Sequence, residues 1–422
     1  MENHPARRLT IAAICIALVA AGIFVYKYTN GTIHIPGTKH IDQSVTANSP
    51  SAKNPTNDPF IAELSIRDGY AMNIFAKNIK DARVIAFDPK GRMLVSETSE
   101  GRIVSIVDSS ADGTADTTTP IISSLNKPHG LALLCPTNAD VCALFVAQAS
   151  KLTSYDYDLA TGTASNPKKL ADFPTTATDL HFTRSLLLLP DQNTLLISVG
   201  SSCNACVEND MMRGRIMAYT ISTSKMTEYA RGLRNSVFMA INPTDGKLYA
   251  TEMGRDGLGD EIPPDEINII EPGKDYGWPN CYSKNVHDDV YDTKTYIRNP
   301  CMEPFETPSF IDIQAHSAPL GLAFMPSDWG VTASAPASPT STTSLFVAFH
   351  GSWNRTVPTG YKITKITLDS AGNYVSIEDF ITGWLTADGQ KIGRPVAVTF
   401  GLDKNLYISD DVAGNIYRVV RQ

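Results

Sequence analysis

The chain is short of positive charge. Its 422 residues carry 36 Lys and Arg against 44 Asp and Glu, a formal net charge of -8. Such a balance excludes general nucleic-acid binding, and any anionic ligand has to be held by a local cluster of bases. Cysteine is scarce as well. Of seven, Cys15 lies in an apolar run, and the other six fall into three close pairs, Cys135/Cys142, Cys203/Cys206 and Cys281/Cys301. Cys203-x-x-Cys206 has no second such pair to make a zinc site and no following His to make a c-type haem site. Local disulfides in an oxidising compartment are the preferred reading, with a metal or redox role for this pair as the alternative. Beyond residue 60 the 3.6-residue periodicity of helices is almost absent, which leaves an all-β chain.

The N-terminus lacks a small-x-small cleavage site. Arg7 and Arg8 precede the apolar run "IAAICIALVAAGIFVY", and Lys27 follows it. Residues 1–28 are therefore expected to form an uncleaved signal anchor, a membrane helix with the rest of the chain outside the cytoplasm. On this reading the protein is periplasmic or otherwise extracytoplasmic, tethered to the inner membrane. Arg7-Arg8 alone is weak support for a twin-arginine signal. Residues 29–60, rich in Thr, Asn, Ser and Pro, read as a flexible linker. A second low-complexity stretch, 331–344, reads as a surface loop inside the domain that fills 61–422.

What is present is a repeat. "RVIAFDPKGRMLVSE" from 83 is echoed by "HGLALLCPTNADVCALFVAQ" from 129, "SLLLLPDQNTLLISVG" from 185 and "VFMAINPTDGKLYATE" from 237. "LGLAFMPSDWG" resuming at "SLFVAFHG", and "VAVTFGLDKNLYISD" from 396, complete the set. Each unit is a strand, a turn of Pro, Asp or Gly, and a second strand, and a third strand often follows. Six such units spaced by roughly 50 to 80 residues predict a six-bladed β-propeller. A strand near 61–80 is expected to share the last blade and close the ring, removing exposed sheet edges.

The residues before each first strand are Arg83, His129, His181, Arg234, His316 and Arg394. In a propeller these positions converge on one mouth of the central channel. None is acidic, and three of the chain's eight histidines are among them. A basic, histidine-bearing pocket of this kind suits a small anion with several carboxylates.

The segment "TEMGRDGLGDEIPPDEINIIEPGKDYGWPN", residues 251–280, has the opposite character. Gly254, Gly257 and Gly259 free the backbone to turn carbonyls inward, and Asp260, Glu261, Asp265 and Glu266 supply charge. That chemistry suits Ca²⁺, although the spacing of acids is not that of an EF-hand. A solvated acidic loop is the alternative.

With these stretches in view, "HFTRSLLLLPD", "GLRNSVFMAINPTDGKLYATEMGRDGLGDEIPPDEI", "DYGWPN", "AHSAPLGLAF" and "FVAFHGSWNRTVPTGYKI", the chain resembles the soluble glucose/sorbosone dehydrogenases that use pyrroloquinoline quinone (PQQ). The likeness spans about residue 80 to the C-terminus and lies nearer the L-sorbosone dehydrogenase branch. It implies a PQQ- and Ca²⁺-dependent oxidoreductase. The substrate would be a sugar or sugar-derived aldehyde, and an external quinone or cytochrome would take the electrons. It also implies that His181 is the general base, that Arg234 stabilises charge on the quinone, and that Asn235 and Arg394 hold the cofactor. Carbonyls of Gly254 and Arg255 would bind the cofactor's Ca²⁺, while Glu266 and the Tyr276 carbonyl would bind a structural Ca²⁺, with Asp265 locking the loop. His316, Trp353 and Arg355 are weaker candidates for cofactor or substrate contact, and His129 and Arg83 rest on the repeat alone.

The sequence departs from the glucose-oxidising relatives in three places. The segment after Asp191 is shorter and carries Cys203/Cys206, a cofactor-binding lysine has no counterpart nearer than Arg355, and Val237 replaces a glutamine. Two other classes compete with a dehydrogenase. A six-bladed lactonase would need carboxylates and amides where the ring has His and Arg. A non-catalytic extracytoplasmic binding propeller gives no reason for His181, Arg234 and Arg394 to stand at equivalent positions.

Overall fold

In the computed structural model, which describes residues 52–53, 58–175, 180–304, 306–329 and 342–422, six antiparallel sheets of four or more strands follow one another along the chain, with a two-stranded ribbon, Cys281–Tyr282 and Val286–His287, inserted in the fourth. The first comprises Ala82–Phe87, Met93–Glu97, Arg102–Val107 and Thr117–Ile122. The second runs from Leu131–Leu134 to Thr163–Asp172, the third from Leu186–Leu188 to Lys225–Arg231, and the fourth from Met239–Ile241 to Ile311–Ile313. The fifth spans Pro319–Phe324 to Tyr374–Thr382, and the sixth holds Pro395–Phe400, Leu406–Asp410 and Asn415–Arg421. The opening strands of successive sheets adjoin in a closed ring, the last beside the first, so they line a common axis. This is the six-bladed propeller that the repeat predicts.

Closure comes from the N-terminal side. Tyr70–Ala76 pairs antiparallel with Asn415–Arg421 as the outer strand of the sixth blade, from Ala76 opposite Ile416 to Tyr70 opposite Arg421. Ser65–Ile66 pairs in turn with the outer strand of the fifth blade, and Ala52–Lys53 pairs with Ser65–Ile66. The ordered edge thus reaches into the stretch read as linker.

The core is a set of wedges between neighbouring blades, because each twisted sheet buries both faces against the next. Val95, Ile106, Ala397 and Tyr407 fill the sixth–first wedge, and Ile197, Val199, Phe145 and Met217 the second–third. Phe238 packs against clusters on several sides of the ring and lies 5.6 Å edge-on from His129, so it plugs the axis beneath the mouth. All three expected disulfides are present: Cys135–Cys142, Cys203–Cys206 and Cys281–Cys301.

The expected N-terminal membrane anchor helix is corrected. Among the described residues no helix is long and apolar enough to cross a membrane. The one described helix, Pro59–Glu63, capped by Asp58, has five residues. At about 1.5 Å per residue it falls far short of a hydrocarbon core ~30 Å thick. Residues 1–28, on which the expectation rested, lie outside the described residues. The membrane as a partner, and the tethered location inferred from it, fall with the anchor.

Candidate active site

His181 lies between the second and third blades, just before the strand Leu186–Leu188. Its Nδ1 is 3.1 Å from the Ser201 carbonyl and 2.9 Å from Ser201 Oγ, whose own proton goes to the Cys203 carbonyl at 2.7 Å. Both neighbours therefore act as acceptors, Nδ1 carries the ring proton, and Nε2 keeps its lone pair. Burial, with the positive charge of Arg234 beside it, lowers the imidazole to about 3. The ring is neutral at physiological pH.

Arg234 and Asn235 open the fourth blade. The Arg234 guanidinium donates to the Asn204 carbonyl at 3.0 Å and Asn204 Oδ1 at 3.0 Å, to the Gly254 carbonyl at 3.0 Å, and to Asp256 Oδ2 at 2.9 Å. It is buried and fully engaged, so what it offers the mouth is charge held in one place. Asn235 N donates to Glu252 Oε1 at 2.9 Å, while its Oδ1 is buried with no partner.

Four of the five residues expected to bind metal, Gly254, Arg255, Glu266 and Tyr276, line one cavity of about 30 Å³ together with Glu252 and Arg234. That is room for a single ion or water. Gly254 has to be glycine: a Cβ there would lie 2.7 Å from the Pro264 carbonyl. Asp265 does not line the cavity. Its two oxygens accept from the backbone N–H groups of Gly254 and Ala318, both at 2.8 Å, so it braces the loop from below. Arg255 turns its side chain to Asp288. Glu266 accepts from Ser283 N at 2.6 Å and Asn268 Nδ2 at 3.0 Å, and the Tyr276 hydroxyl is tied to the Ile269 carbonyl at 2.6 Å.

The donor set fits a hard divalent cation. Glu252 Oε2 is buried without a partner, and burial pushes Glu252 well above the usual carboxylate range and Glu266 up to about 7. Glu306, 4% exposed, has both oxygens unpartnered and is pushed by burial, then by Glu266 and Asp275, to about 9. Carboxylates desolvated in this way are what oxygen-seeking Ca²⁺ compensates.

The remaining ring positions are brought to the same face but differ in what they touch. Arg83 binds Asp411 Oδ2 at 2.7 Å, and its Nε is buried and unpartnered. His129 is fully buried over Phe238 with Nε2 unpartnered. His316 reaches the Gly259 carbonyl at 2.8 Å. Arg394 donates to the His350 carbonyl at 3.0 Å and to the Gly351 carbonyl, and sits over the Tyr361 ring. Arg355 grips the Asp260 carbonyl at 2.8 Å and pairs with Glu261, so the 351–355 turn clamps the acidic loop. Trp353 is 74% exposed and free to stack. The unpartnered polar atoms and the charges of Arg83, Arg234 and Arg394 suit an anion such as PQQ.

Sequence reasoning missed Asn204, Glu252, Asp256, Glu306, His350 and Asp411. Asp256 bonds Arg234 and Asn354, and Asp411 holds both His350, at 3.0 Å, and Arg83. Each bond joins residues far apart in sequence; only the Asp410-Asp411 pair after a strand gave a local hint.

A family model described as TrAA12-like matches residues 64–422. An uncharacterized protein of Borreliella burgdorferi is 35% identical over 256 residues, covering 58% of this chain and 62% of that protein. The chain thus spans under two thirds of that relative. A pyrroloquinoline quinone-dependent sugar dehydrogenase of Hypocrea jecorina is 26% identical over 403 residues, covering 83% of this chain and 87% of the enzyme. The calcium structure of the Trichoderma reesei carbohydrate-active enzyme of family AA12 superposes with a TM-score of 0.71 at 22% identity, covering 88% of this chain and 100% of that one; this similarity bears on fold. The family match runs through all six blades and takes in every ring residue, and the chain belongs to the TrAA12-like family.

Proposed function

We propose that the channel mouth is the active site of a PQQ- and Ca²⁺-dependent sugar or aldehyde dehydrogenase. The protein is an oxidoreductase of the PQQ-dependent sugar dehydrogenase kind, with PQQ and Ca²⁺ as cofactors. When bound, PQQ supplies a quinone that accepts the two electrons of the oxidation, and Ca²⁺ supplies positive charge beside its oxygens. Arg394 and Arg83 would hold its carboxylates, Arg234 and Asn235 its quinone edge, and the carbonyls of Gly254 and Arg255 the ion. His316 and Arg355 steady the rim, and His129 the floor. Glu266, the Tyr276 carbonyl and Glu252 would hold a structural ion inside the cavity, which has room for one, so the cofactor's ion would lie outside it; Glu306 adds negative charge beside Glu266, and Asp265 braces the loop.

The observation that carries the reading is the state of His181. Nδ1–H is fixed on Ser201, so Nε2 is left as the acceptor that takes the proton of a substrate hydroxyl as carbon is oxidised. Arg234 keeps positive charge where negative charge develops. Trp353 offers an aromatic face to a sugar ring. A lactonase would instead need carboxylates at the ring positions that hold His and Arg.

The test is dye reduction by purified protein given PQQ and Ca²⁺, across a panel of aldoses and aldehydes. Turnover of at least one sugar, dependent on both cofactors, is expected. No turnover by cofactor-loaded, folded protein on any member would overturn the reading.

A further inference from the structure

The Cys203–Cys206 loop offers no group to substrate or cofactor in the reading above, yet Arg234, the backbone of Asp256 and, through Ser201, His181 are bonded to it. Asn204, inside the loop, makes a two-way pair with the backbone of Asp256. Its Oδ1 accepts from Asp256 N at 2.8 Å, and its Nδ2 donates to the Asp256 carbonyl at 2.9 Å. The same Oδ1 accepts from Arg234, and the Asn204 carbonyl accepts from Arg234 Nε at 3.0 Å and from Trp278 Nε1 at 3.1 Å. One residue later in the bond network, the Cys203 carbonyl takes the Ser201 hydroxyl proton and so fixes the tautomer of His181.

We propose that Asn204 is a positioning residue, and that the Cys203–Cys206 disulfide makes its hold on Arg234 and on the Gly254–Asp256 backbone dependent on the redox state of the loop. The proposal rests on the dehydrogenase reading only for its kinetic consequences. Asparagine fits because its amide offers an acceptor and a donor in one plane, as a neighbouring strand would. Aspartate keeps the acceptor and loses the donor, and alanine loses both. The loop belongs to the third blade, whereas Asp256 and Trp278 belong to the fourth, so the pairing locks two blades together at the mouth. A covalent ring of four residues leaves Asn204 little freedom to drift.

The disulfide is accessible. Cys203 and Cys206 are both partly exposed beside exposed Val207, whereas Cys135 is paired with buried Cys142, and Cys281 and Cys301 are both buried. A soluble dithiol can therefore reduce it: two electrons and two protons convert the Cys203–Cys206 bond to two thiols as the reagent's thiols close to a disulfide.

Three preparations test this: Asn204→Ala, Asn204→Asp, and wild-type protein mildly reduced with dithiothreitol, with alkylation and mass spectrometry to confirm that only Cys203 and Cys206 have opened. Hydrogen exchange needs no enzyme activity. In cofactor-free protein, the 253–257 backbone should exchange at least about tenfold faster in Asn204→Ala and in reduced protein, with Asn204→Asp between them and wild type. In the loaded enzyme, kcat should fall on the order of 10- to 100-fold for a displacement of about an ångström, with KM for sugar little changed. The acid limb of kcat should also move upward. Arg184, Arg213 and Arg234 are the charges that face His181, and Arg234 is the one set loose. Unchanged exchange at 253–257 in folded Asn204→Ala and in reduced protein would overturn the proposal. So would equal kinetic losses in Asn204→Asp and Asn204→Ala with no move of the acid limb. Inactive wild type with faster exchange in both would support the clamp and count against the dehydrogenase reading alone.

Discussion

A methyl group on Gly200 would sit 2.5 Å from Cβ of His181 and 2.7 Å from Oδ1 of Asn235. His181 and Asn235 are thus packed through a residue that has no side chain. Gly200→Ala should push His181 off Ser201 and cut kcat by about 10²-fold, the usual cost of a ~1 Å misplacement, while the fold survives. A variant with native kcat would show that His181 tolerates displacement. His181→Ala should lower kcat by about 10²- to 10⁴-fold and leave the PQQ dissociation constant within about threefold. Because burial and Arg234 hold the imidazole far below its ordinary value of 6.5, wild-type kcat should keep its base form well below pH 6. An acid limb at or above 6.5 in wild type would place the catalytic proton elsewhere. At this scale the ring residues were legible from strand-equivalent positions. Asn204 and Asp256 were not, since their bonds join positions 52 residues apart with no shared pattern.

At the scale of elements, the acidic loop and its aromatic corner meet at one cavity, lined by Glu266 and by Tyr276 and Trp278. Glu266 is held near 7 and Glu306 near 9, against 4.5 for a free glutamate, because burial disfavours their charged forms. Without an ion, both contribute stability that is complete below about pH 4.5 and is lost as pH rises through 7 and then 9. A bound cation reverses the balance by stabilising the ionised forms. In chelator, therefore, Tm should fall steadily from pH 5 to 9, and Ca²⁺ should flatten or reverse that fall; superimposable profiles would remove the ion from the loop. The loop's composition pointed to oxygen ligands for a cation, but it could not say which acid faces the cavity. Asp265 and Glu266 look alike in sequence, yet one binds two backbone N–H groups and the other lines the cavity. The closing strand is the second element with a clear consequence. Truncation before residue 58 should leave Tm within a few degrees. Truncation to residue 77 removes Tyr70–Ala76, together with Phe60 against Tyr417 and buried Ile61, exposes the edge of Asn415–Arg421, and should abolish cooperative unfolding.

At the scale of the whole molecule, the propeller was legible because each blade announces itself locally, by two short apolar runs and a turn, and because six announcements in order leave few architectures. Blade closure by the 70–76 strand followed from the same counting. The expected membrane anchor was read from an apolar run, its flanking charges and the lack of a cleavage site, with no packing to check it against, and no described helix supplies it. The ring of bases over a neutral histidine, with an oxygen-lined, ion-sized cavity beside it, makes one central claim: the mouth binds PQQ through Ca²⁺. The most direct measurement is a titration of metal-free protein with PQQ, followed by tryptophan fluorescence, in excess Ca²⁺ and in excess chelator. Saturable binding of one PQQ per chain with Ca²⁺, weakened at least about 100-fold by chelator, is the predicted result. Equal affinity in both conditions, or no binding with Ca²⁺, would contradict it.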